Sequence, residues 1–127
     1  MKIAVIIVRV LMGLLFLSAS IPVLLNMIPP EKPEGNVKVF MDGIEATGYL
    51  MPLIKITELL CGIAFVSGYF VPLATVVIAP IVINIFLFHA FVDKQGVGIG
   101  VGLALVLANL FLAYAHREKF KPILAAK

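Results

Sequence analysis

Charged residues are scarce in this chain of 127 residues: 13% are charged, whereas 62% are hydrophobic. A water-soluble domain of this length has too high a surface-to-volume ratio to bury so much apolar surface. That excludes an ordinary soluble domain and makes a lipid bilayer the natural solvent. The length suits one unit of four helices and leaves no room for a second domain, so we treat residues 1–127 as a single membrane domain.

Cysteine is scarcer still, because Cys61 is the single one. One cysteine excludes an intramolecular disulfide, a Cys-x-x-Cys redox pair and a thiolate metal cage. The two histidines, His89 and His116, are expected at opposite membrane edges, where they cannot ligate one haem within a monomer. We therefore expect no haem site and no metal site.

The glycine-rich run from Gly96 to Gly102 resembles a nucleotide-binding loop only superficially. It lacks the Lys-Ser/Thr ending of a P-loop and the spacing of a dinucleotide site. Two glycines of this run, Gly98 and Gly102, belong to a stripe of mostly small residues on one face of the fourth span. The stripe continues through Asn109, Ala113 and His116. Such a stripe lets helices approach closely, so we expect it to pack inward.

Four apolar stretches approach or exceed the roughly 20 residues needed to cross a hydrocarbon core as a helix. They cover about residues 3–26, 50–71, 72–93 and 97–116. The sequence therefore predicts an all-α fold, a four-helix transmembrane bundle. Between the first two spans, residues 36–47 place Val37, Phe40, Met41 and Ile44 on one face. This pattern predicts a short amphipathic helix at the interface or over the bundle, with a partly ordered loop as the alternative.

Lysine and arginine near the span ends indicate the orientation. Five of these cations fall on the side of the two termini: Lys2, Arg117, Lys119, Lys121 and Lys127. Three fall on the other side: Lys32, Lys38 and Lys94. We therefore expect both termini in the cytoplasm. After a membrane span, the basic tail indicates a cytoplasmic anchor, so we expect no nucleic-acid partner.

Three charged residues lie inside the predicted spans: Arg9, Lys55 and Glu58. Insertion scales assign each a cost of roughly 2.5–3.5 kcal/mol, which is about 9 kcal/mol for the three. A chain keeps such groups for pairing or for chemistry. Depth estimates place Glu58 within reach of the long Arg9 side chain, so we predict that these two form a proton-handling pair. The alternative is an ion pair that only fixes the helix register.

Four polar residues are candidates for binding a ligand in the bundle: Lys55, Asn84, His89 and Asn109. Asp93 lies one turn after His89, where its carboxylate could orient the imidazole. The alternative for His89 is an ordinary hydrogen-bonding residue at the interface. Asn84 and His89 differ by about 140° around a regular helix, so both face the bundle axis only if the helix is distorted near Pro80.

The order and spacing of several short motifs resemble the DoxX-like family of membrane proteins. These motifs are Arg9-Val-Leu-Met-Gly-Leu-Leu-Phe, Gly48-Tyr-Leu-Met-Pro, Glu58-Leu-Leu-Cys-Gly-Ile, Phe70-Val-Pro-Leu-Ala and Asn84-Ile-Phe-Leu-Phe-His. The resemblance implies a four-helix protein of the bacterial inner membrane. Some family members are associated with quinol oxidase or thiosulfate:quinone oxidoreductase complexes.

The resemblance and the residues together leave three functions open. The first is an accessory or quinone-linked subunit of a membrane oxidoreductase system, with a quinone as candidate cofactor and a redox protein as partner. The second is a non-catalytic scaffold or assembly component with a structural ion pair. The third is a small transporter or proton path, for which a single four-helix unit would need to form a homo-oligomer. Whether the chain is an enzyme stays open.

Overall fold

The computed structural model describes residues 2–25, 34–93 and 96–124. Lys32, Lys94 and Lys127, which entered the orientation argument, lie outside these residues. The described residues form six α-helices and one π-helical turn: α1 (Lys2–Leu24), α2 (Gly35–Thr47), α3 (Leu50–Ser67), α4 (Val71–Leu87), the π turn (Phe88–Val92), α5 (Gly96–Ala115) and α6 (Arg117–Leu124).

Four helical segments in the described residues are long and apolar enough to cross a membrane: α1, α3, α4 with the π turn, and α5. In the bundle, α1 packs against α3 and α5, and α4 packs against the same two helices. The predicted all-α four-helix bundle is thus confirmed. One end of the bundle holds α2, and we call it the α2 end. The opposite end, with Lys2 and Arg117, is called the terminal end.

The second span ends four residues earlier than the sequence predicted. Helix α3 stops at Ser67, where Gly68 takes a left-handed conformation with φ of 85° and donates its N–H to the carbonyl of Ala64. Glycine adopts this conformation without a steric penalty, which makes it a common end to a helix. Residues 68–70 therefore form a turn, and α4 begins at Val71.

Helices α1 and α3 approach each other closely at a pair of glycines. A Cβ atom on Gly13 would lie 2.8 Å from the carbonyl oxygen of Gly62 and 2.9 Å from the backbone nitrogen of Val66. Because backbone atoms cannot move aside as a side chain can, this crossing requires glycine. Phe16 and Phe65 stack beside it, with ring centroids 6.2 Å apart.

The core lies between the four helices, and the outer surface is apolar. All four contribute buried side chains, including Phe16, Phe65, Ile78 and Leu112, each at most 1% exposed. Large apolar side chains are also exposed along the helices, as at Leu11, Leu60, Val76 and Leu107. A surface of this kind suits contact with lipid rather than water.

Helix α2 is the predicted amphipathic helix. Ile44 is buried at its inner face. On its outer face, the Lys38 ammonium donates a hydrogen bond of 2.8 Å to Asp42. That bond raises the pKa of Lys38 above its ordinary value. The hydroxyl of Thr47 donates to the carbonyl of Ile44 and accepts the N–H of Leu50, which ties the end of α2 to the start of α3.

Candidate functional site

A cavity of about 260 Å³ lies beneath α2, between α3, α4 and the π turn. Its walls are mostly apolar side chains: Phe40, Met41 and Ile44 from α2, Met51 and Ile54 from α3, Pro80, Ile81 and Ile85 from α4, and Phe88 from the π turn. Four polar residues complete the lining: Lys55, Glu58, Asn84 and His89. These four were all singled out in the sequence as site residues, and the structure brings them together.

Glu58 is the most deeply buried charged group of the site. Its side chain is 5% exposed, and its Oε2 atom lies 3.3 Å from the ammonium nitrogen of Lys55. Lys55 precedes Glu58 by three residues on the same helix, so the pair forms without any contribution from another element. The Lys55 side chain is 18% exposed and is the only cation within ion-pair distance of Glu58 in the described residues.

His89 lies at the other side of the cavity, on the π turn. Its Nδ1 atom is buried without a hydrogen-bond partner in the described residues. The nearest carboxylate oxygen, Oδ2 of Asp93, is 3.9 Å from Nδ1. That distance allows charge attraction but exceeds a hydrogen bond. Asp93 is thus close to the imidazole, as the sequence suggested, without holding its orientation by a hydrogen bond.

Asn84 lies on α4 and His89 on the π turn that follows it, and both line the cavity. A π-helix closes its hydrogen bonds over five residues, and here the N–H of Asp93 donates to the carbonyl of Phe88. The π turn begins only at Phe88, so most of the segment between Asn84 and His89 is regular α-helix. Helix α4 continues through Pro80 to Leu87.

Helix α5 packs closely against the imidazole of His89. A Cβ atom on Gly98 would overlap the ring, with its Cγ atom 2.8 Å away. The glycine stripe of the fourth span therefore packs inward at Gly98, as predicted. Further along, Gly102 packs equally closely against the backbone of Phe86. The absence of a side chain at Gly98 leaves the space that the His89 ring occupies.

Helix α2 covers the cavity through aromatic and aliphatic contacts. The rings of Phe40 and Phe88 lie 4.8 Å apart at an angle of 46°. The sequence predicted the inner face of α2, including Phe40 and Ile44, but gave no indication that Phe88 would be its partner. Phe88 belongs to a continuous apolar run, in which no periodic pattern distinguishes one side chain from its neighbours.

The predicted ion pair between Arg9 and Glu58 is wrong. The guanidinium of Arg9 lies against Gly68, at the C-terminal end of α3. Gly68 is ten residues from Glu58, or about 15 Å along a helix. The depth estimate assumed that the two spans end at the same level. Instead, α3 ends beside Arg9, and the negative end of its helix dipole favours a cation there.

Asn109 also lies away from the cavity. It is buried between α4 and α5, where its amide nitrogen donates a hydrogen bond of 3.1 Å to the carbonyl of Thr75. Its Oδ1 atom has no hydrogen-bond partner in the described residues. The geometry gives Asn109 a place in the helix packing, and it does not bring the residue to the other four polar side chains.

The site therefore combines a buried acid, a lysine beside it, an imidazole and an amide around one small space with apolar walls. No group of three or more histidine, cysteine or acidic side chains in the described ranges could hold a metal ion. The arrangement can bind a small, mostly apolar molecule and exchange hydrogen bonds or a proton with its polar part.

Comparison with known proteins agrees with this architecture. Residues 4–90 match the family model for DoxX, which is more than half of the chain. No curated protein and no solved structure matched. The matched segment runs from α1 into the π turn and includes all four polar residues of the cavity. With four membrane-length apolar helices and this match, the chain is an integral membrane protein that belongs to the DoxX family.

Proposed function

We propose that this protein is an accessory, quinone-linked subunit of a membrane oxidoreductase system, and that the cavity beneath α2 binds the ring of a quinone. The observation that carries the proposal is the burial of Glu58 at the wall of that cavity. The Glu58 side chain is 5% exposed. A buried carboxylate destabilises a membrane protein, so a residue of this kind usually has a function.

The size and walls of the cavity support a ligand with a single ring. An apolar cavity of about 150 Å³ suffices to bind benzene, so 260 Å³ accommodates a substituted ring. The apolar walls suit the faces of a ring, and Asn84 and Lys55 offer hydrogen-bond donors for ring oxygens. Because the cavity lies among membrane-length helices, a ligand with an apolar tail could reach it from the lipid.

In this proposal, the residues of the chain handle protons and the ligand carries electrons. A bound quinone supplies reversible two-electron chemistry in which its oxygens take up or release protons. Glu58 holds or transfers one proton at its carboxyl oxygen, and Lys55 sets the charge of that group. His89 supplies an imidazole across the cavity, which can donate or accept a hydrogen bond. The electrons come from a redox protein that binds this subunit.

The proposed setting is the cytoplasmic membrane of a bacterium, with the whole chain acting as one domain and both termini in the cytoplasm. Among the described cations, Lys2, Arg117, Lys119 and Lys121 lie at the terminal end, whereas Lys38 lies at the α2 end. This asymmetry supports the orientation. In the proposed orientation, α2 and the cavity beneath it lie on the side away from the cytoplasm.

Substitution Glu58→Gln tests the proposal, because it keeps the shape of the side chain and removes its titration. The matched control is Glu45→Gln, which removes a carboxylate from the exposed part of α2. Both variants are purified in mild detergent, and bound quinone is extracted and measured by mass spectrometry. Quinol oxidation is measured in membranes that contain the native partner.

We expect the wild-type protein and the Glu45→Gln variant to retain quinone. The Glu58→Gln variant should lose at least tenfold in quinone-dependent activity while folding normally. Full activity of a folded Glu58→Gln variant would refute the role of Glu58. The intrahelical pairing of Lys55 with Glu58 favours the scaffold function as second candidate, since such a pair needs no ligand. Full activity of the Glu58→Gln variant, together with the absence of retained quinone in the wild-type protein, would support the scaffold function.

A further inference from the structure

A second cavity, larger than the one beneath α2, lies at the terminal end of the bundle. It has a volume of about 470 Å³ and lies between the start of α1 and the end of α5. Val5, Ile6 and Ala115 form its apolar part, whereas Lys2, His116 and Arg117 form its polar part. None of the residues discussed for the α2 cavity contributes to it.

Two polar side chains of this cavity, Arg117 and His116, are held in place by neighbouring atoms. The guanidinium of Arg117 donates a hydrogen bond of 3.1 Å to the carbonyl of Tyr114, and its carbon atom lies 4.5 Å above the centre of the Tyr114 ring. The Nδ1 atom of His116 donates a hydrogen bond of 2.8 Å to the carbonyl of Leu112. These contacts leave other N–H groups of Arg117 and the Nε2 atom of His116 available.

No acidic residue lines the cavity. The nearest acidic residue in the sequence is Glu118, which is bound to Lys121 at 3.1 Å. Within the described part of the chain, neither Lys2 nor Arg117 has an acidic partner. Two unneutralised cations at one rim therefore attract an anion, and the adjoining Lys119 adds to the positive potential.

We propose that this cavity binds the headgroup of an anionic phospholipid. Lys2 and Arg117 would donate to the phosphate oxygens, and an acyl chain would lie along Val5 and Ile6. Neither a free phosphate ion nor a nucleic acid would fill the apolar part of the cavity. Basic pockets between transmembrane helices are a common binding place for anionic headgroups.

The test compares phosphatidylglycerol with phosphatidylcholine, added to delipidated protein in detergent, with bound lipid counted by native mass spectrometry. The double variant Lys2→Gln/Arg117→Gln removes both cavity cations. The matched control, Lys119→Gln/Lys121→Gln, removes the same charge from the part of α6 outside the lining. Circular dichroism confirms that each variant is helical, which separates lost binding from lost folding.

We expect the wild-type protein to bind phosphatidylglycerol at least tenfold more tightly than phosphatidylcholine. Each cavity cation should contribute about fivefold, from about 1 kcal/mol per cation near an anionic surface. The double variant should thus lose about 25-fold and the control less than threefold. Equal binding of the two lipids, or an equal loss in both double variants, would overturn the proposal. Displacement of the lipid by millimolar inorganic phosphate would instead identify a site for small anions and also overturn it.

Discussion

The ion pair between Lys55 and Glu58 makes a quantitative prediction about stability. Substitution Lys55→Met removes the cation and leaves a carboxylate that is 5% exposed without a partner. Breaking a buried pair in this way typically costs about 3–5 kcal/mol. We expect about 3 kcal/mol, the lower end, because Glu58 can take up a proton and so avoid a buried charge.

The opposite substitution, Glu58→Leu, should cost less. The Lys55 side chain is 18% exposed, and its long stem allows the ammonium to turn toward water. We expect about 1 kcal/mol for Glu58→Leu, because no buried charge is left behind. In the double variant both charges are absent, so its loss should fall about 2 kcal/mol short of the sum of the single losses, within the range measured for residues in contact.

A second pair of substitutions serves as the control. Arg9→Met and Glu58→Leu should add to within about 0.5 kcal/mol, because groups that far apart with no shared partner rarely couple. All variants are unfolded reversibly in mixed micelles with a rising fraction of dodecyl sulfate, and helicity is followed by circular dichroism. Two results together would refute the pairing of Lys55 with Glu58. They are additive losses of stability for the substitutions at these two residues, and coupling of about 1 kcal/mol or more between Arg9 and Glu58.

Two further predictions concern the site and the orientation. Substitution Gly98→Ala should displace His89 and lower quinone retention several-fold, since a Cβ atom would overlap the imidazole ring; Gly100→Ala, where a Cβ atom meets nothing within 4 Å, should have no effect. Unchanged retention in the first variant would show that the position of His89 does not matter. In a background without the native cysteine, Lys38→Cys should react with an impermeant thiol reagent added to intact cells, whereas Lys119→Cys should be protected. The reverse labelling would show the opposite orientation.

Much of the site could be predicted from the sequence, because its polar residues are conspicuous against an apolar background. Lys55, Glu58, Asn84 and His89 were recognised in this way, and the inner face of α2 followed from its periodicity. Their arrangement around one cavity could not be predicted. It depends on how α2, α3, α4 and the π turn pack together, and nothing in the sequence from Phe88 to Val92 distinguishes a π turn from a continued α-helix.

The sequence by itself determined the bilayer as solvent, the number of membrane-length helices and the identity of the buried charges. Long apolar stretches form α-helices in lipid, because a helix satisfies the hydrogen bonds of its own backbone. Lys55 and Glu58 pair locally within α3, whereas the absence of a pair between Arg9 and Glu58 was decided by the tertiary structure. The glycine crossing of α1 and α3 and the early end of α3 at Ser67 set the stagger of the two helices. That stagger placed Arg9 at Gly68, and the ten residues from there to Glu58, about 15 Å along a helix, exceed the reach of the Arg9 side chain.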